Sequence, residues 1–145
     1  MPTNPPNRLQ RQLARVDEAP AFMRTFVRSL ALGRAVPFTG RAKLRYEEMS
    51  PSRVQIFVAN ERIVQNHIGG VHAMASTLAA ETATGMVIGL NVRDDCLPVV
   101  KEMRVQFKKR GQGAMRAIAT LTDEQRELIQ TTTKGEVTVD RKSVV

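Results

Sequence analysis

Residues 71–90 read VHAMASTLAAETATGMVIGL. Val71, Ala75, Leu78, Ala79, Thr82, Met86 and Leu90 recur at helical spacing, so the stretch predicts one long helix with an apolar stripe. Ala and Gly are so frequent here that other backbone can approach it on several sides. A helix of that kind belongs at the centre of a fold rather than on its rim.

The flanking segments supply the material to surround it. Upstream, Ala42, Leu44 and Tyr46 alternate with Lys43, Arg45 and Glu47. A Ser50-Pro51-Ser52 turn then leads into Val54, Ile56 and Val58. This pattern predicts two antiparallel strands, with residues 63–69 as a short third. Downstream of an Asp94-Asp95 turn, Val99 to Lys109 and Ala114 to Leu121 both alternate around Gly111-Gln112-Gly113, which predicts a long hairpin. Thr122 or Asp123 can cap a polar helix running to Thr131, and Glu136 to Val139 begins a last strand. Arg141 to Val145 are too few for a further turn and strand, so the C-terminal strand is expected to be short. The sum is an α+β fold, an antiparallel sheet around one long central helix.

The N-terminal part has a different character. Residues 1–7, MPTNPPN, read as a disordered tail. Leu9 to Leu32 is helical in pattern, divided or opened afresh by Pro20 and ended by Gly33. In its second half Phe22, Phe26, Val27 and Leu30 form a stripe, with Arg24 and Arg28 off it. The expected organisation is a tail at 1–7, a helical extension at 8–35 and the main domain at 36–145.

At 145 residues, 42% apolar and 25% charged, the chain has the composition of one globular domain, which excludes a collagen-like or wholly disordered chain. Cys96 is the single cysteine, so no internal disulfide can form, which suits a cytoplasmic location. Arg8, Arg11, Arg15, Asp17 and Glu18 interrupt any signal-peptide core, and no run approaches the ~20 apolar residues of a membrane span. The formal charge is +8, and residues 1–45 carry nine Lys/Arg against two acids, net +7. The excess therefore belongs to the extension. The simplest reading packs the extension's apolar face on its own domain; contact with nucleic acid or an anionic membrane surface ranks behind that.

Chemistry points to Glu81. It is the one formally charged side chain in the 30 residues between Arg62 and Arg93, and it lies in the middle of the helix expected to be most enclosed. A carboxylate in apolar surroundings costs several kcal/mol unless paired or hydrogen-bonded. It therefore sits either on a solvated face or in a site that uses it. Asn66, His67, Gly69, Gly70 and His72 stand at the helix entrance, where free backbone N–H groups can hold an anion or a developing oxyanion. His67 and His72 taken singly read as capping or packing residues. His72 and Glu81 are nine residues apart, about 900° of helix and roughly 13 Å of rise, so they face opposite sides. If both serve one site, two subunits must supply the parts.

Asn66-His-Ile-Gly69-Gly-Val-His72 followed nine residues later by Glu81 resembles the hotdog-fold acyl-CoA thioesterases. The likeness is to the phenylacetyl-CoA thioesterase branch and to a relative of it with an N-terminal helical extension. Four positions match over sixteen residues, and the resemblance extends from about Val36 to Val139. It implies a hotdog fold in which a sheet wraps the helix, and homodimers or dimers of dimers that join edge to edge with sites at the boundary. Glu81 would act as base or nucleophile, and Asn66 of the other subunit would orient water or substrate. The N–H of Ala73, following His72, would polarise the thioester carbonyl. Gly69, Gly70 and Met74 would line the substrate site. The family usually has His-Gly-Gly where this chain has His72-Ala73-Met74, so the donor survives while Met74 reshapes the pocket.

Coenzyme A would enter as part of the substrate, with no separate cofactor. Its phosphates make Lys108, Lys109 and Arg110 candidate contacts. A non-catalytic hotdog protein that binds acyl-CoA is the alternative from another class. A metal site lacks support, since no clustered Cys or carboxylate accompanies His67 and His72 at ligand spacing. Cys96, beside Asp94 and Asp95, is poorly placed to be a thiolate.

Overall fold

The computed structural model describes residues 5–144, with side chains to residue 140. Helix α1 (Arg8–Val16) and helix α2 (Arg24–Ala35) are separated at Pro20 by a 3-10 turn, Ala21–Met23, followed by the short α3 (Pro37–Arg41). Strands β1 (Arg45–Met49) and β2 (Arg53–Val58) precede the long helix α4 (Ala73–Gly89). Then come β3 (Met115–Thr120), α5 (Asp123–Thr131) and β4 (Asp140–Val144). The sheet is antiparallel throughout in the order β1-β2-β3-β4.

The inner face of the sheet carries Tyr46, Val54, Ile56, Val58, Met115, Ala117 and Ala119, all buried. Against it α4 sets Ala79, Ala80, Ala83 and Val87. The small side chains let helix and sheet lie close, so the larger aliphatics of β2 fill the space between. Each such aliphatic contributes about 1.5–3 kcal/mol on burial.

Helix α2 closes the free edge of β1. Ser29 Oγ accepts the Tyr46 N–H at 3.0 Å, and Arg28 reaches the Glu47 carbonyl at 3.5 Å. These contacts satisfy backbone groups that would otherwise offer an open edge. Both fall at a register shift between Tyr46 and Glu48, where β1 bulges. Arg28, read from the stripe as a surface cation, is instead a strut. Its side chain is 11% exposed and makes two 2.6 Å bonds to Asp17, tying α2 to the end of α1.

Several expectations need correction. Gly33 does not end α2, which continues to Ala35. Its lack of a side chain serves packing, because a Cβ there would lie 2.9 Å from Gly40 Cα, and one on Gly40 would lie 2.4 Å from the Gly33 carbonyl oxygen. Residues 63–69 are not a strand. A 3-10 turn (Arg62–Val64) and one bridge, Gln65 to Val71, take their place because Asn66, Gly69 and Gly70 fold the chain back on itself.

Val99 to Lys109 likewise forms no strand, so the long hairpin is absent. β3 pairs with β2 on one side and β4 on the other, which leaves no edge of β3 for that segment. The last strand starts at Asp140 rather than Glu136, and residues 140–144 themselves complete the pairing with β3. The tail expected at 1–7 falls in part on residues 1–4, outside the described residues. Asn7 is placed as the cap of α1, and its Nδ2 donates to the carbonyls of Gly89 and Val92 at 2.8 and 2.7 Å.

Candidate active site

The entrance to α4 is built by side chains that spend their polar atoms on backbone. Asn66 Oδ1 accepts the N–H groups of Ile68 and Gly70 at 3.0 and 3.1 Å, which fixes its amide orientation and closes the loop. Gly69 has φ of 78°, the left-handed region that favours glycine. Its carbonyl accepts Nδ2 of Asn60 at 3.0 Å. His72 is the N-cap of α4: its Nδ1 accepts the Met74 N–H at 3.0 Å, its carbonyl accepts the Ser76 N–H, and its own N–H donates to Val64.

Donors at the helix start remain uncommitted. The N–H of Ala73 makes no hydrogen bond among the described residues, and neither does Nδ2 of Asn66. An unpaired N–H at the positive end of a helix dipole can stabilise an oxyanion. Met74, next to it, is 60% exposed.

Lys108, Lys109 and Arg110 lie in the exposed loop before β3. That loop returns to the entrance: Arg110 Nη2 lies 3.4 Å from the Ile68 carbonyl, and a Cβ on Gly70 would sit 3.3 Å from the Gly111 carbonyl oxygen. Gly70 and the Arg110–Gly111 end of that loop are thus neighbours in space across some forty residues of chain.

Glu81 stands apart from this group. It lies two turns into α4, half-buried, and makes no hydrogen bond or ion pair with any described residue. Its carboxylate acts electrostatically on Tyr46, fully buried, whose hydroxyl meets Thr39 Oγ1 at 3.1 Å. Burial first, and the Glu81 carboxylate in addition, push the Tyr46 phenol above its ordinary value, while the Thr39 contact pulls the other way.

The single chain does not bring Glu81 into contact with Asn66 or His72. Two clefts, about 460 and 220 Å³, lie elsewhere, one around Asn91 and Arg126 and the other between α1 and α2. Neither is lined by Asn66, His72 or Glu81.

Tyr46 and Asn60 are the neighbours that sequence reasoning missed. Tyr46 was visible only as an apolar strand position, although it is the one tyrosine of the chain. Asn60 follows β2 directly, and its Oδ1 is enclosed without a partner. Cys96 is held up by burial and by Asp95 beside it, the opposite of what a thiolate needs. Among the described residues no three His, Cys, Asp or Glu are grouped to hold a metal ion, and no helix is long and apolar enough to cross a membrane.

The architecture and the motif can be set against known proteins. A family model described as a domain of unknown function, DUF4442, matches residues 24–143. The chain belongs to the DUF4442 family. No curated protein matches it. One similar solved structure is a structural-genomics protein at 22% identity and TM-score 0.73, covering 93% of this chain and 86% of that one. At that identity the likeness shows the fold alone. Another is a Pseudomonas aeruginosa protein described as of unknown function and a probable thioesterase. It is 28% identical with TM-score 0.62, covering 68% of this chain and 66% of that one. This DUF4442 chain therefore has a hotdog-like fold, an antiparallel sheet on one long helix.

Proposed function

We propose that this DUF4442 protein hydrolyses an acyl-CoA thioester at a site completed by a second copy of the chain. The observation that carries the reading is Glu81, a half-buried carboxylate without a hydrogen bond or counter-ion among the described residues. Structural carboxylates in such places are paired. A carboxylate left unpaired is free to take a proton. The description of one structural neighbour as a probable thioesterase supports the same class of reaction.

In the proposed step Glu81 removes a proton from water as its oxygen bonds to the thioester carbonyl carbon. The carbonyl electron pair moves onto oxygen, which the Ala73 N–H receives. The carbonyl re-forms, the carbon–sulfur bond breaks, and the CoA sulfur leaves with the proton held by Glu81, which restores the carboxylate and gives the free acid as the other product. Asn66 of the second copy acts through Nδ2, its oxygen being committed to the loop, and so it orients water or substrate as a donor. His72 contributes by setting the helix start. Gly69, Gly70 and Met74 border the acyl group, and Lys108, Lys109 and Arg110 meet the phosphates.

The second copy joins along residues 99–109, which alternate like a strand and pair with no strand among the described residues. Leu97, Val99, Val100, Val105 and Phe107 are exposed there. A dimer, or a dimer of dimers, follows from that edge.

Binding without turnover is the second reading, favoured by Met74 beside the Ala73 donor. An acyl-CoA panel with a free-thiol readout separates the two. Thiol release that disappears in Glu81→Ala supports hydrolysis. Thermal stabilisation by acyl-CoA without thiol release supports binding alone. Wild-type turnover by a folded Glu81→Ala protein removes Glu81 from the mechanism.

A further inference from the structure

The helical extension does not use its aromatic residues where a docked helix would. Phe22, in the turn before α2, is 87% exposed and Phe26 is 65% exposed. Leu30 follows at the same four-residue step, and Arg34 ends the row. Phe38 of the adjoining α3 is exposed as well. The chain has five phenylalanines, three of them here, and none is in the core. Large exposed apolar side chains on successive turns are informative in a way that a single exposed leucine is not.

The charge around this row has one sign. From Ala19 to Tyr46 there is no Asp or Glu. Asp17, the nearest acid but one, is committed to Arg28. Arg34 and Arg41 make no hydrogen bond or ion pair among the described residues. An apolar row bordered by uncompensated arginines suits a surface that is anionic outside and apolar just beneath, where phenyl rings enter the acyl boundary and guanidinium groups meet phosphates. A second copy of the same face would set these arginines against one another. A nucleic acid would satisfy the charge but not Leu30 beyond the rings.

We propose that the Phe22–Phe26–Leu30 face of the extension docks the protein on an anionic phospholipid surface.

Sedimentation of the full chain with lipid vesicles tests this. The protein is expected to co-sediment with phosphatidylcholine vesicles containing about 30% phosphatidylglycerol, not with phosphatidylcholine alone, and to be released by salt. Phe22→Ser/Phe26→Ser should lower the partition coefficient about tenfold with an unchanged far-UV circular dichroism spectrum. Arg34→Glu should weaken binding to the anionic vesicles, and Leu128→Ser, an exposed apolar residue of α5 off this face, should bind as wild type. Absence of binding to the anionic vesicles overturns the proposal, as does binding that the double phenylalanine variant leaves intact. Self-association or single-stranded RNA binding that this variant abolishes, without vesicle binding, assigns the face elsewhere and overturns it too.

Discussion

His72 Nδ1 accepts the backbone N–H of Met74 at 3.0 Å, so the histidine of the motif ends as the cap of α4 and leaves the Ala73 N–H beside it uncommitted. A cap is replaceable by another short acceptor; a proton-transfer group is not. His72→Ala should cost about 1 kcal/mol of stability in urea denaturation, and His72→Asn should recover most of it. Thioester hydrolysis should follow the same order, retained in His72→Asn.

Glu81 and Tyr46 provide a second, independent reading of the site. Glu81→Gln keeps the shape of the side chain and removes its charge, and should lower hydrolysis by about 10²–10⁴-fold. The Tyr46 phenol should then titrate at lower pH than in the wild type, yet still above its ordinary value, because burial is the larger cause of its upward shift. Since Tyr46 is the one tyrosine, tyrosinate absorbance reads it without interference. An unchanged titration would show that the carboxylate does not act on the phenol.

The Gly33–Gly40 contact should be intolerant of a methyl group. A Cβ on Gly40 would meet the Gly33 carbonyl oxygen at 2.4 Å, and one on Gly33 would meet Gly40 Cα at 2.9 Å. Both involve backbone, which cannot swing aside. Gly40→Ala and Gly33→Ala should each destabilise by about 1–3 kcal/mol, Gly40→Ala the more, as read by thermal or urea denaturation.

Acid should act through Glu47. Its hydrogen bonds from Arg116, at 2.8 and 3.0 Å, hold its carboxyl below the ordinary 4.5, with Gln55 adding to the effect. A depressed folded value means the contribution is complete above 4.5 and is lost as pH falls through the lower, folded value. The pair is partly exposed, so the effect is at most about 1 kcal/mol. Arg116→Ala should therefore narrow the stability gap between neutral pH and about pH 3 relative to wild type, measured by urea denaturation at both.

These sites also show how far residue patterns reach. The central helix, the β1–β2 pair, β3 and the Thr122-capped α5 were legible because each carries its own period or cap over a short span. Asn66, Gly69 and His72 were legible as an entrance because glycine and short polar side chains at a strand-to-helix junction have few other uses. What escaped depends on contacts distant in sequence. Gly33 reads as a helix stop until Gly40 is brought against it. Arg28 reads as a surface charge until Asp17 closes on it. Val99 to Lys109 reads as a strand because its alternation is real, and the hairpin it suggests needs an edge of β3 that β2 and β4 already occupy. Tyr46 was hidden by being an ordinary inward strand position, linked to the Glu81 carboxylate only once the chain is folded.

That unpartnered segment makes the shared site testable without a structure of the assembly. If residues 99–109 join two copies, Val99→Pro/Val105→Pro should abolish association, because proline removes ladder N–H groups, and should abolish hydrolysis with Glu81 and Asn66 intact. Analytical ultracentrifugation reads the first and thiol release the second. If each site takes Glu81 from one copy and Asn66 from the other, Glu81→Ala and Asn66→Ala proteins should each be nearly inactive alone. Mixing them with subunit exchange gives hybrids in half the dimers, each with one intact site of two, so activity should rise to about a quarter of wild type. No recovery on mixing, with exchange verified, would place both residues in the same copy's site. That outcome would conflict with the half-turn that separates His72 from Glu81 along α4.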